Sequence, residues 1–225
     1  MQETRILKSV TLLIRLKKTN PASMKSVALL LCLFVPQADT FGQQLPNFQV
    51  DAKQIKGKTA AQEGKMRRAL MAFEKVMNDE LFQKELLDLK FYSDTPDDPN
   101  RNLTDEQVVK KIYAAQEHYT SEENNKADIY WLSKKRSRWV TLFTGCSVLG
   151  FGDEENKEVY TYSCFLDGKD TELTDIVGHI AHEWTHKLGF VHQYDDHPRR
   201  NETVSYAFGI LVSKHAEKYT KLYEQ

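Results

Sequence analysis

The sequence predicts an α+β fold, and three stretches carry that prediction. Residues 60–78 repeat apolar side chains at helical spacing, through Met66, Ala69, Leu70, Phe73, Val76 and Met77. Residues 127–165 change to short runs rich in aromatic and β-branched side chains, the composition of strands. A second strongly patterned helix follows, from Thr174 or Asp175 to Gly189. At 225 residues, 40% hydrophobic and 28% charged, the chain has the make-up of an ordinary globular protein with one domain of enzyme size.

Taken in order, the first feature is Lys25, the apolar run Val27 to Val35, and then Thr40-Phe41-Gly42. A basic start, a short apolar centre and small residues before a cut describe a signal peptide, with translation starting at Met24 and cleavage near Gly42. The run is too short to span a bilayer. A buried N-terminal helix is the alternative. On this reading residues 1–42 are a leader and residues 43–225 a single domain that is exported, secreted or periplasmic. The leader carries six basic residues (Arg5, Lys8, Arg15, Lys17, Lys18, Lys25) and two acidic ones (Glu3, Asp39), so its loss moves the net charge from −1 to −5. That balance gives no electrostatic reason to bind nucleic acid or anionic lipid. A monomer is expected, without nucleic acid and without lasting insertion in a membrane.

Residues 43–59 offer no element and no cysteine. After the 60–78 helix, Leu81, Phe82, Leu86 and Leu87 continue the helical pattern as far as the polar loop Ser93 to Asn102. Thr104 with Gln107 forms a capping box for a helix through about Tyr119. Strands are expected at Ile129 to Leu132, Trp139 to Phe143, Val148 to Phe151 and Val159 to Phe165, with Lys134 to Arg138 a solvated connection. Turn residues centred near 155 would set Cys146 opposite Cys164, either as a disulfide or as two small buried thiols. The last helix runs from Ala207 to Tyr223, with Ile210, Leu211, His215 and Tyr219 as its packing positions.

Within the 174–189 helix the sequence reads His182-Glu183-Trp184-Thr185-His186, extended by Gly189 and His192. Residues four apart lie on one helix face, so His182 and His186 can present imidazoles to one ion. A glycine at position 189 frees the backbone for a positive φ, which turns His192 back towards them. Three imidazoles hold a zinc ion and leave a fourth corner for water. Glu183, adjacent to the first ligand, is the natural base for that water. His179 reads as a supporting or packing residue. Asp195, Asp196 and His197 either are weaker alternatives to His192 as third ligand or line the cleft.

This H-E-x-x-H-x-x-G-x-x-H pattern resembles that of the metzincin clan of zinc metalloendopeptidases and agrees with it at all five specified positions. The resemblance implies a zincin-like fold: a twisted, mostly parallel sheet with an antiparallel edge, packed on long helices that include the motif helix. It also implies zinc (Zn2+) on His182, His186 and His192, a peptide or protein substrate paired along the sheet edge, and peptide-bond hydrolysis with Glu183 as general base. One feature departs from the clan: no methionine follows Met77, so Val204 or Ser205 stands where a methionine turn is expected. Tyr206, just beyond, is either a donor to the metal or oxyanion or a core aromatic. The alternative readings are a binding protein with a purely structural metal site, or a narrow hydrolase of cell-wall peptides.

Overall fold

The computed structural model describes residues 45–93, 98–120, 122–137, 146, 150–152, 156–192 and 198–223. The expected leader, the run Trp139 to Phe143, the turn at 153–155 and the polar residues 193–197 lie outside these. Strand β1 (Gln49–Lys56) is followed by helices α1 (Ala60–Met77), α2 (Glu80–Asp88) and α3 (Asp105–Ala114). Strands β2 (Lys126–Lys134), β3 (Gly150–Phe151) and β4 (Glu158–Tyr162) come next. Helices α4 (Ser163–Leu166), α5 (Leu173–Lys187) and α6 (Val204–Thr220) close the chain, with a 3-10 turn at Arg200–Glu202 between the last two.

The fold is α+β on a mixed sheet in the order β1-β2-β4-β3. Strands β1, β2 and β4 run parallel, and β3 forms an antiparallel edge beside β4, with Phe151 opposite Tyr160. Alternation in β2 turns Ala127, Ile129, Trp131 and Ser133 inward, as period-two patterning requires. The inner face packs on α1 and α5, and α5 lies along α6.

Strand β1 is an element the sequence does not announce. Its residues are mostly polar and show no apolar alternation, because it is an outer strand held by main-chain bonds rather than by burial. Helix α1 fixes it: Glu74 accepts from Val50 N at 2.8 Å, and Asn78 bonds both Phe48 N and Phe48 O, at 2.8 and 2.7 Å. Other boundaries also differ from expectation. Residues 81–87 form a separate helix, since Asp79 caps a new start. Helix α3 stops at Ala114, where Ala115 turns left-handed at φ 50°. The apolar run ending at Phe165 is strand only to Tyr162, and its last residues curl into α4. The expected capping box between Thr104 and Gln107 is present.

The core centres on an aromatic cluster behind α5. Trp184 meets Phe48, Phe73 and Phe208 at centroid distances of 5.6, 5.8 and 6.3 Å, in edge-on or tilted geometry. Polar atoms inside it are paired: Tyr113 donates to Met77 O, Trp131 Nε1 to Thr161 Oγ1 at 2.7 Å and Trp184 Nε1 to Glu117 at 2.9 Å. Cys146 and Cys164 are joined by a disulfide that closes the β3–β4 hairpin. Among the described residues no helix is long and apolar enough to cross a membrane.

Candidate metal centre

Helix α5 begins one residue before the expected cap. Glu172 N donates to Asp175 Oδ2 at 2.9 Å, so the acidic side chain satisfies the helix start from within the first turn. At the other end Gly189 has φ +82°. Phe190 N bonds back to Thr185 O at 3.2 Å and Gly189 N to His186 O at 3.0 Å, the double bond pattern of a left-handed helix stop. Asn100 braces this bend by donating to Gly189 O at 2.6 Å, and is itself held by Lys111 Nζ at 2.6 Å.

The bend brings the last imidazole home. One ring nitrogen each of His182, His186 and His192 lie within 4.8 Å of one another. His182 Nε2 and His192 Nε2 are 3.2 Å apart, close to the roughly 3.3 Å that separates two nitrogens bound at about 2.05 Å to one tetrahedral zinc ion. His186 Nδ1 donates to Phe190 O at 2.6 Å, which fixes the tautomer and leaves its Nε2 lone pair for the shared point. Burial pushes His186 down to about 4 and His182 well below the usual imidazole range, the neighbouring imidazoles adding to the effect. Neutral rings with free lone pairs are the form that binds a metal. The donor set therefore fits a divalent ion of the zinc type.

Glu183 sits beside the cluster and is buried. Loss of water pushes its carboxyl up to about 8, against a hydrogen bond from Gly152 N and the charge of Lys187. Lys187 is itself fully buried, donating to Asn156 O at 2.7 Å and so tying the hairpin to the helix. His179 is not part of the cluster. Its Nε2 lies 3.0 Å from Thr161 Oγ1 and its Nδ1 3.5 Å from Glu183, so it bridges β4 and the carboxylate. Burial lowers it to about 3.

The segment expected to form a turn under the site is instead the first turns of α6. Ser205 is hydrogen-bonded to Thr185 at 2.6 Å. Gly209 lies beneath His182: a Cβ there would stand 3.1 Å from the histidine Cβ and 2.9 Å from Gly178 O. The ring of Tyr206 lies 4.5 Å from that of His182 and 4.7 Å from that of His192, so it lines the cleft rather than the core. Ile210 is 52% exposed and also lines the cleft, contrary to its expected packing role.

The cleft encloses about 450 Å³ and runs from β3 (Gly150, Phe151) past the three imidazoles to Asp175, Gly178 and Ser213 on the α5–α6 groove. Arg200 lines it as well, with its guanidinium 4.2 Å above the Tyr206 ring. Arg200 Nε is buried without a hydrogen-bond partner among the described residues. A buried donor left unpaired costs on the order of 1–3 kcal/mol. Neither Arg200 nor Asn100 stands out in the sequence, because each reaches the site from outside the motif. Comparisons with protein-family models, with curated proteins and with solved structures found no match to this chain.

Proposed function

We propose that this chain is an exported zinc-dependent endopeptidase on a zincin-like fold, an outlying relative of the metzincins. The observation that carries the reading is the convergence of three imidazoles, of which burial keeps those of His182 and His186 neutral, beside the buried Glu183 carboxyl in an open cleft. Zinc, when held by His182, His186 and His192, supplies Lewis acidity and lowers the pKa of water from about 15.7 towards about 7.

The chain's own residues have the remaining tasks. A divalent ion held beside it would draw the Glu183 carboxyl back to its ionised form, in which it takes a proton from the attacking water and returns it to the leaving amine. Gly152 N and His179 hold that carboxylate at the edge strand. The edge β3 offers main-chain groups for an extended peptide, and β-strand addition is a general way to bind one. Tyr206, whose ring lies 4.5 Å from that of His182, has the task of supporting developing negative charge.

Metal analysis of the purified chain, with peptide cleavage before and after chelation, tests the reading. One bound zinc is expected, with cleavage abolished by chelator and restored by zinc. Glu183→Gln should keep the zinc and lose about 10²- to 10⁴-fold in kcat. Full activity in that variant refutes the role of Glu183, whereas zinc binding with no cleavage of any peptide favours a structural metal site.

A further inference from the structure

Arg199 and Arg200 are adjacent, yet their side chains meet different surroundings. Arg199 forks onto Glu202, with Nε at 2.8 Å and Nη2 at 2.6 Å, on the outside of the 3-10 turn. Arg200 turns inward, lies flat over Tyr206 at 4.2 Å and lines the cleft. Tyr206 in turn contacts the rings of His182 and His192. The guanidinium therefore stands one aromatic ring away from the imidazole cluster.

Its Nε is buried and has no hydrogen-bond partner among the described residues, and no ion pair to Arg200 occurs among them. Of the described cleft-lining residues, Arg200 is the only one with a permanent positive charge, and the acids are Asp175 and Glu183. Asp175 lies two helical turns from His182, about 10 Å along α5. Imidazole ligands bring no negative charge to set against a divalent ion. The end of the cleft around Arg200 thus attracts anions, and stacking on Tyr206 fixes the plane of the guanidinium. A planar guanidinium with a free Nε edge matches a carboxylate through two parallel N–H···O bonds, a geometry that lysine cannot reproduce.

We propose that Arg200 is the specificity determinant of the cleft and receives a carboxylate of the substrate, so that the preferred substrates are acidic peptides. The carboxylate belongs either to an Asp or Glu side chain near the scissile bond or to the peptide's C-terminus. This inference rests on the peptidase reading of the histidine cluster.

The test uses the zinc-loaded chain and blocked peptides in matched pairs, with Glu or Gln moved through the positions flanking the cut and each peptide ending in acid or amide. The wild-type chain should favour the acid member of one pair on the order of 10- to 100-fold in kcat/KM, mainly through KM. A Glu-over-Gln preference identifies a side-chain carboxylate, and an acid-over-amide preference the C-terminus. Arg200→Gln should level that preference with zinc content unchanged, and Arg200→Lys should restore only part of it. A wild-type chain without acid preference, or an Arg200→Gln variant that keeps it, overturns the proposal. A readout independent of catalysis is the NMR resonance of the Arg200 Nε–H group, identified by its loss in Arg200→Lys. It should shift on titration with N-acetylglutamate amide and not with N-acetylglutamine amide. Absence of that shift overturns the proposal even if the chain cleaves nothing, while a shift without cleavage leaves the carboxylate site standing and rejects only the peptidase reading.

Discussion

Asp79 has two tasks at once. Its Oδ1 accepts from Leu81 N at 2.9 Å and Phe82 N at 3.1 Å, which caps α2, while Oδ2 accepts from Tyr219 and, at 2.9 Å, from Lys218 on the last helix. Desolvation raises its pKa, but the hydrogen bonds from Tyr219, Lys218 and Phe82 N, with the charge of Lys218, outweigh that effect and hold the carboxyl well below its usual range. A depressed folded-state pKa gives stability that is complete above the unfolded value near 3.9 and is lost as pH falls towards the folded value. Asp79→Asn keeps a capping oxygen and removes the charge. At pH 7 it should cost about 1–2 kcal/mol, and urea melts should find the gap to wild type closing as pH drops below about 4. At this scale the imidazole cluster was legible, since a four-residue helical step and one glycine constrain three rings by local geometry alone. Arg200, Asn100 and the Thr161 partner of His179 were not, because nothing local relates them to residues 182–192.

Helices α5 and α6 pack backbone to backbone where Gly178 faces Gly209. A Cβ on Gly178 would lie 2.7 Å from Ser213 Cβ and 2.9 Å from Gly209 O. Backbone cannot yield cheaply, so Gly178→Ala should push the helices apart and cost about 1–3 kcal/mol. A lowered denaturant midpoint with unchanged slope would register it, and a stability equal to wild type would contradict the close approach. Gly189 differs: its would-be Cβ finds its nearest neighbour at 3.7 Å, so its requirement comes from φ +82° and not from space. The sequence made α1, α3 and α5 readable through period and caps. It hid β1, which presents polar residues on both faces, and α4, whose Ser163-Cys164-Phe165 has strand composition but bonds through Ser163 to Ser133 and Lys134 O. It also placed the start of α6 three residues late, since Val204-Ser205-Tyr206 carries no helix-favouring signal.

Across the whole molecule, the sheet edge nearest the cleft hangs on a short hairpin. The Cys146–Cys164 disulfide spans 18 residues and encloses β3. In the chain-entropy model a loop of that size stabilises the fold by about 3 kcal/mol. Cys146→Ser with Cys164→Ser should lower stability by about that amount, and amide exchange should rise first at Gly150 to Gly152 while α1 and α5 stay protected. Uniform loss of protection would mean that the hairpin and the helices open together. The α+β class followed from the order of patterned segments and the mixed sheet from the resemblance of the motif, whereas the pairing of β1 with β2, as between Gln49 and Lys126, depends on tertiary contacts.

Phe48 precedes the first strand and Phe208 belongs to the final helix, yet both rest on Trp184, next to Glu183. A nascent chain released as far as His192 already has all three histidines of the cluster but lacks the wall on which that helix leans. Translation products stalled or clipped before Phe208 thus carry the motif with one side of Trp184 in water, and the cluster assembles only after Phe208 has been added.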